Sequence, residues 1–149
     1  MANTQFSDTI HVLTYIAYFQ GQKMTSPEIA SSLETSPSLI RKIMATLKKN
    51  NLLAPTHGPT QLALARDPAD ITLQDIYHTL PGTPLLLNVD QHTSQKCPVG
   101  VAMPQTLDHY YREIQAAAEA QMAKITLRDI LNDVNLYQAT TKRPPLKPI

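Results

Sequence analysis

A chain of 149 residues with 42% hydrophobic and 17% charged residues has the size and composition of one folded domain, which argues against a disordered chain. Its single cysteine excludes an intramolecular disulfide and any zinc or iron–sulfur site held by the cysteines of one subunit. The net charge of +1 conceals an uneven distribution, because residues 1–66 carry six bases and three acids, whereas residues 67–141 carry four bases and nine acids. We therefore expect only the first half to contact a polyanion. The absence of a signal-peptide pattern or long apolar run predicts a cytoplasmic protein.

Two helices are predicted near the amino terminus. The segment from Phe6 to Phe19 is apolar on nearly every side, which indicates a helix buried on more than one face. Thr25 and Glu28 then form the pattern of a capping box, and Pro27 suits the first turn of a helix. A second helix of about two turns is therefore predicted to begin there.

The third predicted helix has the clearest amphipathic pattern. Ser36 and Pro37 provide its start signal. Apolar residues recur at helical spacing on one face, and polar or basic residues occupy the other. Two short capped helices joined by a tight turn are typical of a helix-turn-helix, although a small bundle with a solvated outer helix would show the same pattern. The apolar face consists of Leu39, Ile40, Ile43, Met44 and Leu47.

A β-hairpin is predicted directly after the third helix. Residues 52–55 and 61–65 resemble two strands, and residues 56–59 resemble the turn between them. A hairpin in this position would be the wing of a winged helix. The fold class predicted for residues 1–80 is thus mainly α with a small β-hairpin, a winged helix-turn-helix. The turn carries His57 but no lysine or arginine, so its attraction to phosphate should be weak.

The second half is predicted to contain a long helix between two short ones. Residues 71–76 and 125–130 share a pattern in which aspartate follows threonine by three residues and can cap a helix. The prolines of residues 81–104 predict a loop that includes Cys97. Residues 105–137 are predicted to form a long dimerisation helix and a short C-terminal helix, and residues 138–149 a disordered tail.

A row of apolar residues three or four positions apart runs along this long helix. It can pair with a second subunit or pack against its own winged helix, and we favour a dimer because two-fold symmetry extends the site that a helix-turn-helix can bind. The proposed dimer interface contains Leu107, Tyr111, Ile114, Ala118, Met122 and Ile125.

Several segments together resemble the Rrf-two family of winged-helix transcription regulators. The resemblance runs from about Thr4 to Ile130 and implies a homodimer that binds a palindromic operator. It implies that the third helix enters the major groove and that the wing lies near the minor groove. The segments that carry it are Phe6-Ser7 with His11 and Leu13, Pro27-Glu28-Ile29-Ala30, Leu64-Ala65-Arg66, residues 71–76 and residues 124–130.

The sequence departs from the family pattern at two places. Pro59-Thr60-Gln61 stands where the family usually has Gly-Gly-Tyr in the wing. The cluster-binding members have three closely spaced cysteines before the dimer helix, whereas here only Cys97 is present, so no cofactor is expected. The segment around Cys97 resembles that of family members that respond to oxidants or electrophiles through a thiol.

The predicted function is that of a cytoplasmic, homodimeric transcription regulator, most simply a repressor, with Cys97 as a candidate redox sensor. No catalytic constellation is present, and the spacing of the metal-capable residues matches no standard metal site, so neither an enzyme nor a metal protein is expected. The alternative is a winged-helix module that binds another protein without reading DNA sequence. The residues predicted to contact double-stranded DNA are Ser36, Pro37, Ser38, Arg41, Lys42, Lys48, Lys49, His57, Thr60 and Gln61.

Overall fold

Helices account for most of the secondary structure in the computed structural model, which describes residues 4–55, 61–82 and 84–141. A short 3₁₀ helix at Pro68–Asp70 separates the first three helices from the last three. The α-helices of the described chain are α1 (Gln5–Tyr18), α2 (Ser26–Leu33), α3 (Pro37–Lys49), α4 (Leu73–Tyr77), α5 (Pro98–Met122) and α6 (Leu127–Thr141).

The predicted helix-turn-helix is formed by α2 and α3. The capping box of α2 is confirmed, because Glu28 Oε2 accepts a hydrogen bond from the Thr25 N–H at 2.8 Å while the Thr25 hydroxyl accepts one from the Glu28 N–H at 3.4 Å. The Ser36 hydroxyl caps α3 by accepting the Leu39 N–H at 3.2 Å. Between the helices, Glu34 adopts a left-handed conformation with φ of 52°, which ends α2 abruptly. Local side-chain chemistry therefore fixes the turn between the two helices.

One continuous hydrophobic core connects the first three helices with the end of the chain. The apolar face predicted for α3 lies in this core, with Leu39 at its half-buried margin. Leu127, the first residue of α6, is completely buried in the same core. The principal buried residues are Val12, Leu13 and Ile16 of α1, Ile29 and Ala30 of α2, Ile40, Ile43, Met44 and Leu47 of α3, and Leu52, Leu53, Ile71 and Ile76.

The segment predicted to form the wing contains a single antiparallel bridge between Leu53 and Leu64. Within the residues that the structure describes, no longer strand extends from this bridge. Residues 56–60, which include the predicted DNA contacts His57 and Thr60, lie outside the described residues. The complete β-hairpin consequently remains a prediction.

A second antiparallel bridge, between Thr72 and Thr126, joins the starts of α4 and α6. We refer to this pair as the threonine bridge. Each threonine also caps its own helix through reciprocal hydrogen bonds with the aspartate three residues later, as the repeated sequence pattern predicts. The flanking hydrogen bonds run from Leu73 N–H to Ile125 O at 2.9 Å and from Leu127 N–H to Ile71 O at 2.8 Å.

The long helix α5 begins earlier than predicted. It starts at Pro98 and continues through Pro104, whereas the sequence predicted a loop over residues 81–104. Proline has no N–H group for the carbonyl four residues earlier, and here that carbonyl belongs to Gly100. The Thr93 hydroxyl donates a hydrogen bond to the Gly100 carbonyl at 2.5 Å, so the group is satisfied from outside the helix. This contact compensates for the bond that Pro104 cannot make.

Two further predictions about the second half are wrong. Ile125 does not lie on α5, because the helix ends at Met122 and Ile125 pairs with the start of α4 instead. Residues 138–141, predicted to belong to a disordered tail, are helical because α6 continues to Thr141. The rest of the predicted tail, residues 142–149, lies outside the described residues.

Candidate nucleic-acid interface

The outward face of α3 is basic and contains no acidic residue. Arg41, Lys42 and Lys49 are exposed, and Lys48 is half-buried at the edge of the same helix. The apolar face of α3 is held in the core, so these cations project from a helix with a fixed orientation. An exposed helix of this charge attracts phosphate and can present donors to the edges of bases.

The amino-terminal end of α3 lies beside this basic face. Ser36 is exposed, and its hydroxyl already accepts the Leu39 N–H. Pro37 is half-buried at the first helical position, and Ser38 is exposed beside it. A helix amino terminus carries a partial positive charge that favours phosphate. The predicted residues 36–38 thus lie together at the end of the helix that best suits an anion.

The structure brings the predicted contacts of α3 together, and of those of the wing it describes Gln61. Gln61 is exposed close to the bridge at the base of the wing. Ala45 is also exposed on this face of α3, one turn after Arg41, since residues four apart share a helix face.

The helix α5 has no buried residue, although it contains 25 residues. Of the predicted dimer residues, Leu107, Tyr111, Ala118 and Met122 are half-buried by their own chain, whereas Ile114 is 48% exposed. The large apolar residues that are most exposed on one side of α5 recur four or seven positions apart. We call Val99, Met103, Tyr110 and Ile114 the apolar stripe of α5.

Gln115 joins α5 to α4 and to the segment that follows α4. Its Nε2 donates a hydrogen bond to the Tyr77 hydroxyl at 2.9 Å, and its Oε1 accepts the Leu86 N–H at 3.0 Å. The nearly buried Tyr77 in turn donates its hydroxyl hydrogen to the Pro84 carbonyl. One carboxamide therefore connects α4, the segment that follows it and α5.

Cys97 lies at the start of α5. It is exposed and occupies the position before the first helical residue without capping the helix through its side chain. The preceding segment folds back on the helix, and a Cβ added at Gly100 would collide with the backbone of Ser94. Gly100 is required by this close approach. The thiol is thus held at a defined place on the surface.

The described residues contain neither a metal-binding cluster nor a membrane-spanning helix. No group of three or more histidine, cysteine, aspartate or glutamate side chains is positioned to hold a metal ion in that part of the chain. None of its helices combines the length and the hydropathy needed to cross a membrane.

The comparisons with known proteins agree with this architecture. YwnA of Bacillus subtilis (strain 168), named as an HTH-type transcriptional regulator, is 33% identical over 132 residues, which cover 89% of this chain and 98% of YwnA. A crystal structure described as that of a DNA binding protein is 31% identical, with a TM-score of 0.67 over 85% of this chain and 97% of the other. T. potens IscR, at 22% identity, shares the fold with a TM-score of 0.69 over 97% of this chain and 93% of its own.

The family comparison covers nearly the whole described chain. The model of the Rrf2 family, described as "Iron-dependent Transcriptional regulator", matches residues 2–133. That range contains the helix-turn-helix, the threonine bridge and all of α5. The chain therefore belongs to the Rrf2 family, whose members are transcriptional regulators and not enzymes.

Proposed function

We propose that the chain is a homodimeric repressor that reads a palindromic DNA operator with α3. The observation that carries this proposal is the outward face of α3, which is basic and free of acidic residues. The side-chain caps of α2 and α3 and the buried apolar face of α3 hold this face in place. Such a helix has the features that a recognition helix needs to enter the major groove. The acidic second half would remain away from the phosphates.

The contacts divide into base readout and phosphate binding. Arg41 is exposed near the middle of α3, where a guanidinium can bind a guanine edge through two hydrogen bonds. Lys42, Lys48 and Lys49 would bind phosphates, as would the amino-terminal end of α3. The predicted wing residues His57, Thr60 and Gln61 would contact the neighbouring minor groove.

The exposed face of α5 supports a dimer. A helix of this length without a buried residue leaves its apolar stripe in contact with water, which is unfavourable unless another surface covers it. A second copy of the chain would pair through the apolar stripe, with Leu107, Tyr111, Ala118 and Met122 at its margin. The pairing would place two α3 helices on two half-sites related by two-fold symmetry.

Cys97 would connect this dimer to the redox state of the cell. Its exposed thiol lies at the first turn of α5, so a modification there adds bulk next to the apolar stripe. A peroxide can convert the Cys97 thiolate to a sulfenic acid with release of hydroxide. Because the chain has one cysteine, a thiol from outside the chain then condenses with the sulfenic acid to a disulfide with release of water. A small molecule or Cys97 of the partner subunit would supply that thiol. The altered start of α5 would change the spacing of the two α3 helices and release DNA.

The experiment for the main proposal is a footprint and a gel shift on the DNA upstream of the chain's own gene. Arg41→Ala should cost about 1–3 kcal/mol of binding free energy and relax base preference at one position of each half-site. Lys49→Ala should weaken binding to all sequences and lower the salt dependence by about one unit of slope. Lys124→Ala removes an exposed cation at the junction of α5 and α6 and serves as the matched control.

The same experiment tests the alternative of a protein-binding module, which the near-neutral net charge favours. Binding that is equally weak for every DNA sequence would support that alternative. Normal operator binding by both Arg41→Ala and Lys49→Ala would show that α3 is not the DNA-reading helix.

A further inference from the structure

A cavity of about 410 Å³ lies between α5 and the segment 85–91. Its size is within the range of about 300–1,000 Å³ that is typical of small-molecule sites. It lies next to Gln115, which is also the residue that connects α5 to α4. Among its lining residues, Tyr111 also lies at the margin of the proposed dimer interface, and none belongs to the apolar stripe or to the proposed DNA contacts.

One part of the cavity wall is apolar. Leu85, Leu87 and Val89 line it from the segment 85–91, and Ala116 lines it from α5. Leu85 is 56% exposed and Leu87 is 40% exposed, so apolar surface in this wall faces water. The hydrogen bond between Leu86 N–H and Gln115 holds the segment in position. An apolar ligand of moderate size would cover this surface and gain hydrophobic free energy.

The charged part of the wall is negative. Asp108 and Glu119 contribute two carboxylates, against the single guanidinium of Arg112. Arg112 Nε lies 2.8 Å from Asp108 Oδ2, so these two charges neutralise each other. Glu119 is the carboxylate of this wall that does not pair with Arg112, and its side chain is only 27% exposed. A partly buried carboxylate of this kind is stabilised by a cation.

Within the described residues, no lysine or arginine pairs with Glu119. Its Oε1 lies 3.4 Å from Gln115 Nε2, a neutral amide, and 3.3 Å from His78 Nε2. Tyr111 also lines the cavity, and the face of an aromatic ring attracts ammonium groups. Carboxylate, aromatic ring and apolar wall together match a ligand with one positive group and an apolar body.

We propose that this cavity binds a small amphipathic cation, with its ammonium group at Glu119 and its apolar body against Leu85, Leu87 and Val89. The Gln115 contact with Tyr77 would transmit occupancy to α4 and hence to the first half of the chain. This last step rests on the proposed function, because it requires that the arrangement of α4 and α5 sets the affinity for DNA. Binding in the cavity does not depend on DNA.

Calorimetric titration of the full chain without DNA tests the site. The probes are 4-phenylbutylamine, 4-phenylbutan-1-ol and 4-phenylbutyrate, which share one apolar body and carry a positive, a neutral and a negative group. The amine should bind at least about tenfold more tightly than the alcohol, since one charge-assisted hydrogen bond contributes that much, and the carboxylate should bind weakest.

Two variants and one control locate the binding. Glu119→Gln should weaken the amine by about tenfold and leave the alcohol nearly unchanged. Leu87→Lys, at an exposed wall position, should weaken the amine and strengthen the carboxylate probe. Glu113→Gln changes a carboxylate of the same helix whose side chain is 65% exposed and which pairs with His109, so it should bind like the wild type.

Three results would overturn the proposal. They are the absence of amine binding at millimolar concentration, equal affinity for the three probes, and a loss in Glu113→Gln as large as that in Glu119→Gln. Operator binding is measured separately by gel shift, so failure of the ligand site can be told apart from failure of the DNA-binding proposal. If Glu119→Gln does not fold, Leu87→Lys decides the result.

Discussion

Replacing Leu127 with alanine tests whether α6 completes the core of the first half. Leu127 is 0% exposed, and its backbone N–H donates to the Ile71 carbonyl at 2.8 Å. Truncating a fully buried leucine removes its transfer free energy and leaves a cavity, at a total cost of about 3–5 kcal/mol. Because a domain has only about 5–15 kcal/mol of stability in total, the loss should be large.

Urea unfolding followed by circular dichroism measures the effect. We expect a loss of about 3 kcal/mol, which corresponds to roughly 6–12 °C in melting temperature for a chain of this size. Leu136→Ala is the matched control, since Leu136 lies on the same helix and is 62% exposed. Its change should stay within about 0.5 kcal/mol. Measurements at two protein concentrations separate any contribution from self-association.

Two results would contradict the expected effect of Leu127→Ala. Equal losses in Leu127→Ala and Leu136→Ala would show that burial of Leu127 does not contribute to stability as the structure indicates. A loss in Leu127→Ala below about 1 kcal/mol would refute the argument that α6 completes the core of the first half.

Four further predictions concern other parts of the molecule. Ile114→Glu places a charge in the apolar stripe and should yield a monomer in sedimentation that binds the operator weakly; a stable dimer would place the interface elsewhere. Hydrogen peroxide or diamide should reduce operator affinity in the wild type but not in Cys97→Ser, and equal sensitivity would leave Cys97 without a sensing role. Thr126→Val removes the cap of α6 and should cost about 1 kcal/mol in thermal unfolding, whereas no change would contradict the role of the cap. Desolvation by burial, partly opposed by the carboxylate of Asp8, lowers the pKa of His11 below 6.5. As the pH falls, the unfolded chain therefore takes up a proton at His11 before the folded chain does. The free energy of unfolding should fall as the pH decreases below about 6.5 in the wild type, and less in His11→Gln.

The sequence predicts the helix-turn-helix well because its signals are local. Thr25 with Glu28, and Ser36 with Pro37, act on backbone groups within the same helical turn, so neighbours elsewhere in the fold do not change their meaning. The apolar face of α3 is also predictable from local sequence, because apolar residues at a strong helical period can be buried together only on one side of the helix. The basic face follows from it directly.

The predictions that were wrong depended on partners distant along the chain. Pro104 predicted a helix break, but the Thr93 hydroxyl supplies the missing donor from eleven residues earlier. Ile125 continued the apolar period of α5, but the threonine bridge takes its backbone out of the helix. The cavity next to Gln115 was not predicted, because Leu87 and Glu119 line it from segments whose contact no local pattern encodes.

The threonine bridge also determines when the core around α1 to α4 can be completed during protein synthesis. Residues 73–125 connect the two threonines of the bridge. Because α4 ends at Tyr77, helices α1 to α4 are synthesised well before Leu127. At the usual elongation rate of about 5–20 residues per second, the fifty residues from His78 to Leu127 take roughly 3–10 s. During that interval the nascent core lacks one of its fully buried side chains. The core is therefore complete only in a chain that also contains α5. In a nascent chain that ends before Leu127, the core on which α3 packs is incomplete.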